Sequence, residues 1–161
     1  MLSGVTEHAG SGGGTAGGAP VEVIARAVVC TPGGVLLARQ RGKSWSFLPG
    51  GHAEPGETLA VTLARELDEE LGLAVSGAVP AGMVEHSYTE DGAVRHELNV
   101  VFAVTTDQRE FASREDHLGF HVVAWDELGS CQVRPGPVHA ALLTWADGRA
   151  PFLSVLPSPA A

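Results

Sequence analysis

Residues 51–73 read GHAEPGETLAVTLARELDEELGL. The stretch opens as a loop, with Pro55 and Gly56 at its turn, and becomes a helix after Thr58. Thr58 is a good N-cap, and Gly72 is a C-terminal stop, so a helix is expected from about 59 to 71. Nine positions stand in a fixed spacing: Gly51, Glu57, Arg65, Glu66, Leu67, Glu69, Glu70, Gly72 and Leu73. Written out, the pattern is G-x5-E-x7-R-E-U-x-E-E-x-G-U, where U is a bulky aliphatic residue. Typical residue frequencies put a chance match on the order of 10⁻¹⁰ per starting position. The spacing therefore has a cause.

The helix offers one. Glu66, Glu69 and Glu70 are spaced i, i+3, i+4 and fall within about 100° of one face. Ala60, Leu63, Ala64, Leu67 and Leu71 form a neighbouring apolar stripe that can dock on a sheet. The expectation is a helix held by its leucines, with three carboxylates along one edge. Three like charges so close are destabilising unless something neutralises them. A hard divalent cation with oxygen ligands suits them, magnesium first and manganese as a substitute. Glu57, near the helix start, and Arg65 read as a bracing pair, because a guanidinium can fork onto acidic side chains. Gly50 and Gly51 lack a Cβ, which lets another group approach the backbone closely.

Outside this stretch the chain alternates strands and turns. Val21 to Cys30 and Val35 to Gln40 are valine-rich strands joined by Thr31-Pro32-Gly33-Gly34, so they predict a hairpin. Residues 41–46 form a polar loop leading into Trp45, Phe47 and Leu48. A strand region is expected over 75–87, interrupted near Pro80. Glu90-Asp91-Gly92 is a turn. His96 to Thr105 alternates, with Leu98, Val100, Phe102 and Val104 on one side and Asn99, Val101 and Ala103 on the other. Residues 106–117 form a charged loop, Phe120 to Trp125 a strand, and Pro135 to Ala146 a last helix. The order predicts an α/β (α+β) fold, a mixed sheet with helices on its faces. The domain is expected over 21–148, between a flexible glycine-rich tail at 1–20, with seven glycines, and a C-terminal tail at 149–161.

The bulk properties bound the function. The chain has 161 residues, 44% of them hydrophobic, which fits one domain with a real core. With 19 acidic against 10 basic residues, its net charge is −9, so general binding to a nucleic-acid backbone is not expected. A small phosphorylated ligand still fits where cations shield the charge. Cys30 and Cys131 form neither a disulfide framework nor a zinc spacing. No membrane span or signal peptide is legible, so the cytoplasm is the expected compartment and no membrane partner is expected.

The nine-position pattern resembles the Nudix box, and it matches at every specified position. The resemblance covers residues 21–148, although only the 23 residues of the box are specific. It implies an α/β/α sandwich and a magnesium-dependent pyrophosphohydrolase. The reaction would cleave a nucleoside diphosphate linked to another group X, such as a nucleoside triphosphate (oxidised forms included), a nucleotide sugar, ADP-ribose or a dinucleotide. Metal-activated water would attack phosphorus. In this reading Glu66, Glu69 and Glu70 hold metal, while Gly51, Glu57 and Arg65 shape and orient the loop and helix.

For the catalytic base, relatives use either the box or a loop outside it. Glu69 and Glu70 are the box candidates. Glu115 in Ser113–His117 is preferred on the loop, with Glu110 and Glu97 as alternatives. Arg26, Arg39 and Gly50 read as substrate contacts, and Trp45 and Phe47 as either base-stacking or packing residues. His52 reads as a rim residue, and His86 and His96 as solvent-facing. A homodimer stays open as a partner. The competing classes are a non-catalytic nucleotide-sensing module on the same fold, which usually loses the box carboxylates retained here, and an isoprenoid diphosphate isomerase.

Overall fold

The computed structural model describes residues 20–157, so the tail expected at 1–20 lies, but for Pro20, outside the described residues. Seven strands form one mixed sheet: β1 Val21–Thr31, β2 Gly34–Gln40, β3 Gly50–His52, β4 Val79–Glu90, β5 Ala93–Thr105, β6 Leu118–Val123 and β7 Phe152–Ser154. Their order is β6-β2-β1-β5-β4-β7. β1 runs parallel to β5, and β4 parallel to β7, while the other pairs are antiparallel. β1 shares one edge between two partners. Its residues 29–31 pair with β2, and residues 24–26 pair with β3. The chain leaves the sheet between these pairings and returns at Gly50, beside Arg26.

Both faces of the sheet are covered. Helix α1, Leu59–Leu71, packs Leu63, Leu67 and Leu71 on Ala25, Ala27, Val29, Leu36, Phe102 and Val104. Helix α2, Gly136–Gly148, packs Val138, Leu142 and Trp145 on Val28, Leu37, Val84 and Val101. The result is the expected α/β/α sandwich. β1 and β5 contribute to both cores, which is why β1 reads as a continuous apolar run. Leu63 and Leu67 are fully buried, and each such side chain stabilises the fold by about 2 kcal/mol. Thr58 caps α1 by accepting from the Val61 amide at 3.4 Å, and Gly72 closes it in the left-handed conformation.

Several expectations change. The strand placed at 75–87 spans Val79–Glu90, and its partner begins at Ala93 instead of His96. The hairpin turn is only Asp91-Gly92, both with positive φ (50° and 77°), so pairing continues to Glu90 and Ala93. Gly50–His52, read as loop, is a strand. So is Phe152–Ser154, within the segment 149–161 read as tail, and it pairs with the outer side of β4. Ala60, placed on the docking stripe, is exposed. Among the described residues no helix is long and apolar enough to cross a membrane.

Candidate active site

The three helix carboxylates are not equivalent. Glu70 follows Leu63 and Leu67 at i+7 and i+3, so it belongs to the buried stripe and not to an open edge. It is only 5% exposed. Its Oε2 accepts from the Gly50 amide at 3.3 Å. Burial, together with the charges of Glu66 and Glu115, pushes its pKa up to about 7; the Gly50 amide and Arg26 oppose that rise. Of the three carboxylates expected along one edge, Glu69 is the open one, at 54% side-chain exposure, Glu66 lies between, and Glu70 is buried.

Arg65 organises the acidic surface. It forks onto Glu57, with Nε to Oε1 at 2.8 Å and Nη2 to Oε2 at 3.0 Å. Its Nη1 donates to Glu66 at 2.7 Å and to Glu69 at 3.3 Å. Glu57 also accepts from Thr62 Oγ1 at 2.9 Å and the Glu54 amide at 3.2 Å. The Arg65 bonds above all hold its pKa down, at about 2. The two glycines have distinct tasks. Gly50 has φ +125°, and a Cβ there would run into the Ala25 carbonyl. A Cβ on Gly51 would run into the Glu66 carboxylate. Gly50 is engaged by the protein on both sides, donating to Glu70 and accepting from Arg26 at 3.4 Å. It therefore links these two groups instead of offering a free amide.

The 106–117 segment docks on the end of α1. The Arg114 amide donates to the Glu70 carbonyl at 2.8 Å, and its Nη1 to the Asp68 carbonyl at 3.0 Å. Carbonyls of the last helical turn lack partners within the helix; Gly72 serves that of Asp68, and this loop serves that of Glu70 and adds a second donor to Asp68. Glu115 comes to lie where its charge acts on Glu70. His117 Nε2 stands 3.2 Å from Glu115 Oε2. Glu110 instead lines a separate hollow of about 500 Å³ with Leu71 and Phe111. Among the described residues no three His, Cys, Asp or Glu side chains already form a closed metal cage. The donor chemistry nonetheless fits a hard divalent cation: all the donors are carboxylate oxygens, and Glu70 is buried among like charges that a cation would offset.

Beside this cluster opens a cleft of about 640 Å³, lined among others by Arg26, Trp45, Phe47, His86, Tyr88, Glu97, His117 and Arg134. That is an ordinary volume for a small-molecule site. Arg26 is tied by Nη1 to the Leu48 carbonyl at 3.2 Å and by Nε to Asn99 Oδ1 at 3.3 Å. Burial lowers its pKa, against the charges of Glu97, Glu70 and Glu66. Asn99 Nδ2 donates to Glu97 Oε2 at 3.3 Å. The guanidinium of Arg134 lies 5.0 Å from the Trp45 ring, and His86 stacks on Tyr88 with centroids 5.4 Å apart.

The structure therefore brings Glu66, Glu70, Glu115, Gly50 and Arg26 together, with Glu97, Trp45 and Phe47 in the adjoining cleft. Arg39 is not among the cleft residues; it donates to Ser46 Oγ at 3.2 Å and stands 3.4 Å from His121 Nε2. His52 is exposed and 2.9 Å from Glu22. His86, read as solvent-facing, lines the cleft, and His96, read likewise, sits 2.7 Å from Glu85. Asn99, Tyr88, His117 and Arg134 were missed. A signal existed for one: Asn99 interrupts a buried valine alternation, where a polar side chain needs a reason.

A family model described as NUDIX domain matches residues 21–146. Over 98 residues the chain is 35% identical to the low-salt glycan biosynthesis protein Agl8 of Haloferax volcanii, covering 56% of this chain and 62% of that protein. The chain thus spans less than two thirds of that relative. It is 32% identical over 98 residues to an 8-oxo-dGTP diphosphatase of Proteus vulgaris, covering 57% of this chain and 83% of the relative. The crystal structure of a MutT protein from Methanosarcina mazei superposes with a TM-score of 0.68 at 23% identity, covering 81% of this chain and 95% of that one.

Proposed function

This chain belongs to the Nudix family, and we propose that it is a magnesium-dependent pyrophosphohydrolase that cleaves a diphosphate bond in a nucleoside diphosphate linked to a further group. A nucleoside triphosphate, oxidised forms included, is the first substrate class. The Proteus relative, an 8-oxo-dGTP diphosphatase, supports that choice. The observation that carries the reading is the buried Glu70 carboxylate, seated on the Gly50 amide and raised by Glu66 and Glu115. A carboxylate is kept in such a place at a cost that only an unusual partner offsets.

Glu66, Glu69 and Glu70 would hold the metal. Bound there, magnesium supplies charge withdrawal from the phosphate and a lowered pKa for water. Arg65, braced by Glu57, pins Glu66, so that carboxylate needs little reorganisation on binding. Arg26 presents a fixed positive charge at the cleft beside Glu70. Glu115 stands on the docked loop to take the proton from the attacking water. The oxygen of that water bonds to phosphorus, the anhydride P–O bond breaks, and the leaving phosphate departs with the bridging oxygen. The products are a nucleoside monophosphate and pyrophosphate when the substrate is a triphosphate.

A nucleotide panel with magnesium tests the reading, with products identified by chromatography. Cleavage of at least one member is expected, together with a loss of about 100-fold or more when Glu69 and Glu70 are both changed to Gln. No cleavage of any member, or equal activity of the double variant, overturns it. Hydrolysis in ¹⁸O water then reports which phosphorus is attacked.

A further inference from the structure

Two carboxylates line the cleft, and neither suits a phosphate: Glu90 is exposed and ion-paired with Arg95 at 3.6 Å, whereas Glu97 is buried. Glu97 projects from the middle of the sheet, is 9% exposed and lines the cleft. Asn99 holds it in one orientation. The Asn99 amide nitrogen donates to Glu97 Oε2, while its oxygen accepts from Arg26, so neither can be exchanged without losing both bonds. Burial, and then the Glu97 charge beside it, pushes the Tyr88 phenol up from its ordinary value. Tyr88 and its stacked neighbour His86 contribute flat aromatic surface to the same cleft, and so do Trp45 and Phe47. The cleft therefore offers aromatic surface for a planar ring and a buried carboxylate for its edge. Glu97 would repel a phosphate, and Arg26, which donates to the Gly50 carbonyl, is the cleft cation that faces the helix carboxylates.

We infer that Glu97 is the residue that selects the nucleobase, accepting paired hydrogen bonds from the ring N–H and the 2-amino group of a guanine-type ring. A carboxylate only accepts, and two parallel acceptors match an edge with two adjacent donors. Guanine presents N1–H beside its 2-amino group. Adenine turns an unprotonated N1 toward the carboxylate and is repelled. Hypoxanthine keeps N1–H but lacks the amino group. Cytosine has an amino donor beside an acceptor nitrogen, and uracil has a single N–H between two carbonyls. A buried site built to receive a donor rejects the analogue that lacks it, because its own polar atoms are then left unpaired. Glu97 is on this account a specificity residue, and Asn99 positions it. The inference rests on the nucleotide-binding reading of this cleft but not on turnover.

Calorimetric titration of the full chain with GMP, IMP, AMP, CMP and UMP in metal-free buffer tests it. Monophosphates have no anhydride bond, so binding is read without hydrolysis. GMP is expected to bind about 10-fold or more tighter than AMP, with IMP between them. In Glu97→Gln the amide donor meets the N1–H, and GMP affinity should fall to the AMP level while AMP affinity holds or improves. Equal affinities for GMP and AMP in the unaltered protein overturn the inference. So does an undiminished GMP preference in the variant. The unaltered protein's series is decisive without any variant. A clear GMP preference in a protein that cleaves no nucleotide would refute the hydrolase reading and leave this assignment standing.

Discussion

Glu69 and Glu70 are adjacent, chemically identical residues with opposite surroundings. Glu69 is open to solvent and loosely held by Arg65 at 3.3 Å, whereas Glu70 is sealed under Gly50. One helical step of 100° separates them, and that step crosses the boundary of the docked face. Glu115, from a distant part of the chain, completes the group. Its side chain is 35% exposed, and among the described residues its ion-pair partner is His117, so water can reach it. Glu115→Gln should lower turnover by about 100-fold or more while nucleotide affinity changes by only a few-fold. Single-turnover rates and equilibrium titration check the two quantities separately. An unchanged rate removes Glu115 from the mechanism.

The loop and helix from Gly50 to Gly72 act as one element because each part fills space the other leaves. Arg65 draws Glu57 back onto the helix, and the Glu66 carboxylate occupies the room above Gly51. Gly51→Ala puts a methyl group where that carboxylate sits. Glu66 is pinned by Arg65 at 2.7 Å, so it cannot move without breaking that pair. The expected result is metal affinity reduced about 10- to 100-fold, measured by manganese titration. The fold itself should lose only about 1–3 kcal/mol, because the displaced group is a side-chain tip and not backbone. Manganese affinity equal to that of the unaltered protein would show that Glu66 is not held where the metal needs it. At the other end, Arg114 satisfies the Glu70 carbonyl and joins Gly72 on that of Asp68. Helix end and base-bearing loop are thereby one unit.

Across the whole molecule, the buried carboxylate links stability to pH and metal. Glu70 has a folded pKa of about 7 against an ordinary 4.5. Between those values the folded chain binds more protons than the unfolded chain, so stability falls as pH rises through this window. The loss is on the order of 3 kcal/mol without metal. Glu57 acts oppositely and elsewhere. Its folded pKa is about 2, so its contribution is present above 4.5 and is lost as pH falls from there toward 2. Magnesium requires the ionised carboxylate, so its stabilisation should grow as pH rises. Thermal melts at pH 5 and pH 8, each with and without excess magnesium, should show a clearly larger magnesium-induced rise at pH 8. An equal shift at both values would mean that Glu70 is not part of the metal site.

Much of this molecule was legible in the chain because it rests on local rules. The helix 59–71 follows from a cap, a leucine stripe and a closing glycine. The β1–β2 hairpin follows from two valine runs around a tight turn. The spacing of Glu57, Arg65, Glu66, Glu69 and Glu70 already pointed to the family. Contacts between distant residues were not legible. β3 and β7 are three residues each, too short for a periodic signal, and exist because β1 and β4 offer free edges. The sequence put Glu70 on one helix edge with Glu66 and Glu69, but only the sheet that covers it sets its burial. Glu97 looked like a spare base until Arg26 and Tyr88, from other strands, gathered with its strand neighbour Asn99 around it. A spacing pattern fixes which side chains share a helix face, because backbone hydrogen bonds set that geometry within a few residues. Burial, charge partners and the shape of a cleft depend on what other segments pack there, and only the folded sandwich supplies them.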